Sequence, residues 1–169
     1  VLDENHTIVL ANKILLVISR LATKSAEIFF QVFEHLSIDC SAFMNVWMDY
    51  YKNNGNPRNK KVNLLALLTL ASYGVPKNLL GLPQKFAEMA RWTFLFLEEV
   101  NEDATGNCQA YTGDYIYADI DNYAYLDADI APHGEKLRYQ KLLETLDPVY
   151  KFNLKAYFKS VVLSLRQDL

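Results

Sequence analysis

Only two cysteines, Cys40 and Cys108, occur in 169 residues. That excludes a disulfide-rich scaffold, and their wide spacing excludes a Cys-x-x-Cys metal or redox motif. Free thiols in a reducing compartment are the expectation. Histidine is nearly as scarce: His6, His35 and His133 complete the set, and none has a second His or a Cys three or four residues away. The ligand spacing of a zinc site is therefore missing. His35 falls late in an expected helix, where it favours the carboxyl end of the dipole. There is no Gly-x-Ser-x-Gly, no phosphate-cradling glycine loop and no His-Glu-x-x-His. No apolar run approaches the ~18 residues of a membrane span. The chain opens on Val1 rather than Met and carries no signal-peptide pattern, which predicts a piece of something longer.

Bases are missing from one long stretch. Between Trp92 and Glu135 there is no Lys or Arg, against ten Asp or Glu. The formal net charge of −3 thus joins an acidic block to a body in which all 17 bases outnumber the remaining acids. So large a block of the wrong sign argues against a chain built only to bind nucleic acid. What is present is a globular composition: 51% apolar, 13% aromatic and 22% charged residues. Disorder is excluded on those figures, and the length suffices for a domain with a buried core.

The first hundred residues read as consecutive helices. Thr7 to Ala22 is apolar on nearly every side, as in a helix set between neighbours, with Lys13 and Arg20 marking one wet edge. Ser25 is a plausible N-cap for a second helix, with Ile28, Phe29, Val32, Phe33 and Leu36 at helical spacing. Asp39 caps a third, with Phe43, Val46, Trp47, Tyr50 and Tyr51 expected on one face, and Asn53-Asn54-Gly55-Asn56 stops it. Asn56-Pro57 restarts the chain as N-cap and first helical residue. Leu64, Leu65, Leu68 and Ala71 line that fourth helix, and Gly74 and Pro76 end it. Pro83 opens a fifth, carrying Phe86, Met89, Ala90, Thr93, Phe96, Leu97 and Val100.

The pattern then breaks. Residues 101–134 hold three Gly, one Pro, nine Asn or Asp and five Tyr without a helical period, which predicts a long loop. Helical spacing returns over Glu135 to Leu146. Asp147-Pro148 repeats the cap-then-proline device before a last helix with Leu154, Tyr157, Phe158, Val161, Val162 and Leu165 inward. The expected organisation is helical repeats over 1–100, an acidic Tyr-rich loop over 101–134 and a terminal helix pair over 135–169. Expected helix starts near 7 and 39, and near 25 and 57, give an offset of 32 residues and two helices per repeat. Periodicity alone fits an α-solenoid and a compact bundle equally.

Candidate chemistry is sparse. Asp119-Ile120-Asp121-Asn122 begins like a calcium loop, but Tyr123, Ala124 and Ile130 stand where an EF-hand needs Asp or Asn, Gly and Glu. Arg58, Lys60 and Lys61 sit near the start of the fourth helix, where the dipole disfavours positive charge. Pairing with acids elsewhere, a ligand, or plain solvation would each account for them. In the loop, Tyr111, Tyr115, Tyr117, Tyr123 and Tyr125 alternate with Asp114, Asp119, Asp121, Asp127 and Asp129. Tyr supplies contact area at low entropy cost, and Asp attracts basic partners. The same tyrosines would equally serve to pin the loop onto the helices.

Two stretches, FMNVWMDYYKNNGNPRNKKVNLLALLTL (43–70) and ETLDPVYKFNLKAYFKSVVLSL (144–165), carry a family likeness. With the loop between them they resemble the carboxyl-terminal part of an importin-β superfamily nuclear transport receptor of the importin-eleven type. The resemblance implies an all-α solenoid of antiparallel, HEAT-like helix pairs with no enzymatic activity, cofactor or metal, and without direct membrane or nucleic-acid binding. It implies shuttling between cytoplasm and nucleus, protein cargo on the inner surface and weak contacts with phenylalanine-glycine nucleoporins. The Ran-GTP site it implies lies mainly in amino-terminal repeats outside this chain. Asp114, Tyr115, Tyr117, Asp119, Asp121, Tyr123, Tyr125, Asp127 and Asp129, with Arg58, Lys60 and Lys61, are the candidate partner contacts. The loop would either touch cargo or mask the receptor's own cargo surface. The chain departs from the family in two respects: Tyr and Ala replace denser acid runs in the loop, and the 32-residue offset falls below the ~40–47 of HEAT repeats.

Overall fold

Three short polar side chains set where helices begin. The backbone amide of Ile28 donates to the Ser25 hydroxyl at 3.2 Å, and that of Ala42 donates to Asp39 Oδ1 at 3.0 Å. Asn56 Oδ1 accepts from Arg58 N at 3.0 Å and Asn59 N at 3.2 Å, with Pro57 in the first turn as expected. Each satisfies amide groups that a helix start leaves without intrahelical partners. The computed structural model describes residues 4–77, 79, 81–103, 105–106 and 152–167. Among them the elements are α1 (Glu4–Lys24), α2 (Ala26–His35), α3 (Cys40–Lys52), α4 (Pro57–Gly74), α5 (Leu82–Val100) and α6 (Leu154–Gln167), with no strand. The expected helix over 135–146, the Asp147-Pro148 cap and nearly all of the acidic loop lie outside the described residues. α6 opens instead on Asn153, whose Oδ1 accepts from Ala156 N at 2.7 Å.

The array is organised around α4. Eleven of its 18 residues are buried, on every side of the helix. Ala66, Leu67, Leu70 and Ala71 join one apolar cluster with Leu15 and Ala22 of α1, Phe29 of α2 and Trp47 of α3. Val62, Leu64, Leu65 and Leu68 join a second with Phe96 of α5 and Leu154, Val161 and Leu165 of α6. Thus α1 and α6 take different flanks of α4, making a row of three. α3 and α5 meet where Tyr51 stacks on Trp92 with ring centroids 5.1 Å apart. Each fully buried aliphatic side chain contributes about 1.5–3 kcal/mol relative to exposure, so α4 holds the largest share of this core.

The helical array is an α-solenoid, but it pairs other helices than the 32-residue offset did. Helix starts lie 36 residues apart for α1 and α3 and 31 apart for α2 and α4, so no fixed period holds there. The chief neighbour of α1 is α4, because α4 is apolar all round and accepts helices on every side.

Two inward assignments change as well. In α3 the buried stripe is Cys40, Met44, Trp47, Met48 and Tyr51, and Val46 is half exposed. The spacing i, i+4, i+7, i+8, i+11 is the better helical face, and Val46 lies off it. In α6, Leu154, Val161 and Leu165 are buried while Val162, at the edge of that stripe, is exposed.

A buried polar knot ties three helices. Asn63 Oδ1 accepts from the Trp47 indole N–H at 2.6 Å and from the Ser19 hydroxyl at 2.8 Å. Its amide donates back to Asn59 O at 2.8 Å. Every polar atom of the Asn63 side chain is thereby engaged in a region otherwise apolar.

Candidate functional site

The basic trio at the start of α4 divides in the structure. Lys61 is not a surface residue: its side chain is wholly buried, and Nζ lies 2.5 Å from Glu102 Oε1 and donates to Gly106 O at 2.5 Å. The Glu102 side chain is 1% exposed. This corrects the placement of Lys61 among candidate partner contacts, since its charge is already committed and no docking protein reaches it. Lys60 lies 4.0 Å from Glu99, whose side chain is 65% exposed. Screening leaves such a pair worth about 0–1 kcal/mol. Arg58 is partly buried in the first turn.

Around Lys61 a clasp closes the base of the acidic segment. The second oxygen of Glu102 accepts from the backbone amide of Lys155 at 3.2 Å, which seats the carboxylate on the N-terminal turn of α6. A helix start favours an anion there. The Asn153 side chain donates to Asp103 O at 3.1 Å. Asp103 Oδ1 accepts from both the amide and the hydroxyl of Thr105 at 2.7 Å. Gly106 sits at φ +86°, and a Cβ there would lie 2.5 Å from Phe152 O, so neither the angle nor the space admits a side chain. Residues 102, 103 and 106 are therefore in contact with residues 152–155, and 45 residues separate 106 from 152 in sequence. Asp114, Tyr115, Tyr117, Asp119, Asp121, Tyr123, Tyr125, Asp127 and Asp129 all lie in that interval, outside the described residues.

Glu102 and Asn153 are the functional-looking residues that the sequence alone did not single out. Nothing local marks them, since Glu102 stands among other acids and meets Lys61 from 41 positions away.

On α3 and α5, Lys52 lies 3.2 Å from Asp49 and 3.6 Å from Glu88, with its ammonium 5.2 Å from the centre of the Trp92 ring. The Asp49 hydrogen bond chiefly, with the charges of Asp49 and Glu88, raises the Lys52 pKa. Phe94 and Leu95 stand half exposed on α5. The Cys40 thiol is pushed up to about 11 by burial, with Asp39 adding to the shift, which is the opposite of an activated nucleophile. Tyr51 is likewise raised, by burial first and Glu99 second. Among the described residues no cluster of three His, Cys, Asp or Glu stands ready to hold a metal, and no helix is long and apolar enough to cross a membrane.

A helical array around one enclosed helix, with Glu102 and Asp103 held against it, defines a helical-repeat scaffold protein. The chain belongs to the importin-11-like family, whose model, described as "Importin-11-like, TPR repeats", matches residues 1–169. It is similar to importin beta-like protein kap113 of Schizosaccharomyces pombe, at 28% identity over 152 residues, covering 90% of this chain and 14% of the relative. It is also similar to importin beta-like protein KAP120 of Saccharomyces cerevisiae, at 28% identity over 126 residues, covering 73% of this chain and 11% of the relative. The chain thus spans about one seventh or less of the length of these relatives. No solved structure matches it.

Proposed function

We propose that this chain is a helical-repeat segment, from the carboxyl-terminal part, of a nuclear import receptor. Its role is to bind protein cargo and phenylalanine-glycine nucleoporins by surface contact, without catalysis. The whole receptor shuttles between cytoplasm and nucleus and takes Ran-GTP through repeats outside this chain. The observation that carries this reading is the family match along all 169 residues. Physical reasoning agrees with it: an array of helices offers a long surface with slots between rods, suited to weak, multiple contacts. The acidic segment 101–134, with Arg58 and Lys60 near its base, is the proposed partner contact, and basic cargo is its natural complement.

A second reading is favoured by the clasp itself, which holds the start of the acidic segment, Glu102 and Asp103, against Lys61 and Asn153 of the body. There the segment covers the receptor's own cargo surface and is displaced by cargo. Deleting 104–131 from the full receptor separates the two in a pull-down with basic cargo. Weaker capture identifies direct contact and stronger capture identifies masking. If neither cargo nor phenylalanine-glycine repeats are retained by the intact receptor at low salt, the binding role fails.

A further inference from the structure

We propose that Asn54-Gly55 is a site of spontaneous covalent modification, at which the Asn54 carboxamide closes onto the Gly55 backbone nitrogen and becomes a carboxylate. It is the one Asn-Gly pair in the sequence, and it falls in the connection between α3 and α4. Glycine carries no Cβ to hinder the approach of a neighbouring side chain to its nitrogen. Gly55 is exposed, and a Cβ built on it would meet nothing within 4 Å. Among the described residues no hydrogen bond engages the Gly55 N–H or Asn54 Nδ2. The attacking nitrogen and the leaving nitrogen are therefore both unencumbered. The carbon between them is held in place. The Asn56 N–H donates to Asn54 Oδ1 at 3.0 Å, and Asn54 is 5% exposed. The ring closed by this hydrogen bond contains both Cγ and the Gly55 nitrogen, which keeps the reacting atoms together. It also sets a donor on the oxygen where negative charge develops during attack.

The neighbouring asparagines each lack a part. Asn53 Nδ2 donates to Asp49 O at 3.2 Å, which ties its leaving nitrogen to α3. Asn56 precedes Pro57, whose nitrogen carries no hydrogen and cannot attack. At Asn54 hydroxide takes the Gly55 amide proton, and the nitrogen electron pair forms a bond to Cγ. The Cγ–Nδ2 bond breaks, and Nδ2 takes a proton from water and leaves as ammonia. The product is a cyclic imide, which water then opens. Cleavage at Cγ leaves aspartate at position 54. Cleavage at the backbone carbonyl leaves isoaspartate, which routes the main chain through the side chain. Either product adds negative charge two residues before the N-cap of α4, where the helix dipole favours it. The inference rests on this turn alone and stands whether or not the transport reading holds.

Incubation of the intact chain in mildly alkaline buffer tests it. Conversion is read by mass spectrometry of the tryptic peptide Asn53–Arg58, fragmented to assign the position, and by isoaspartyl methyltransferase labelling. The expected result is a growing fraction carrying the amide-to-acid mass gain at 54, as a mixture of aspartate and isoaspartate. Asn53 and Asn56 stay intact over the same period. Gly55→Ala, for which the turn has room, retains its helical circular dichroism and loses the conversion. Retention of the Asn54 amide in the native chain, over the time in which the urea-unfolded chain converts, overturns the proposal. Conversion in Gly55→Ala as fast as in the unaltered chain also overturns it, as does conversion spread evenly over the three asparagines.

Discussion

Helices α4 and α1 carry similar aliphatic content and pack directly on one another, yet they end in different environments. α4 is enclosed by α1, α2, α5 and α6, and even its lysine and asparagine at 61 and 63 are buried. α1 is enclosed along the face of Leu15, Ser19 and Ala22 and open along the face of Leu10, Ile14, Val17 and Leu21. Apolar content decides that a helix needs neighbours, but the neighbours themselves come from the rest of the fold. The contrast also explains how α4 tolerates polar residues. A buried ion or amide is stable only when every one of its polar atoms is met, and full enclosure supplies the partners.

The sharpest way to break the comparison is at Lys61. Lys61→Met leaves Glu102 buried without its cation and is expected to cost about 3–5 kcal/mol in urea unfolding, whereas pairing it with Glu102→Leu recovers most of that loss. Next comes a matched pair of truncations. Leu67→Ala in α4 is expected to cost about 2–5 kcal/mol, whereas Val17→Ala in the 169-residue chain changes stability by only about 0.5 kcal/mol or less. Asn63→Leu leaves the Trp47 N–H without its acceptor and should cost about 1–3 kcal/mol, with a blue-shifted Trp fluorescence reporting the lost hydrogen bond.

The smallest effect is alkaline. The folded-state pKa of Cys40 is raised from 9.0 to about 11. Its contribution to stability is therefore whole below pH 9 and lost as pH rises toward 11, with Tyr51 adding loss of the same sign at higher pH. Thermal midpoints measured from pH 8 to 11 should fall less steeply in Cys40→Ala.

Helix existence and helix starts were legible because they depend on neighbours in sequence. Ser25, Asp39 and Asn56 cap amides two or three residues on, and Pro57 needs no amide partner. Facing was legible less evenly. Val46 and Val162 were expected inward at helical spacing, but the side that neighbours cover runs through Met44, Trp47 and Met48 in α3 and through Leu154, Val161 and Leu165 in α6. Pairing of helices was the least legible, since an offset between helix starts does not reveal that α4 takes neighbours on every side. The candidate site divides likewise. That the basic trio would find acidic partners was one of the readings open in the sequence. That Glu102 would be the partner of Lys61, with Asn153 and Gly106 closing the base, depends on contacts across 41 to 50 residues.

Native-state hydrogen exchange of the chain, resolved by peptide, tests the central contrast most directly. Enclosure of α4 by this chain alone predicts that amides over residues 62–71 exchange slowest, near the rate set by global unfolding, while α1 exchanges faster through local opening. Exchange in α1 as slow as in α4 would contradict it.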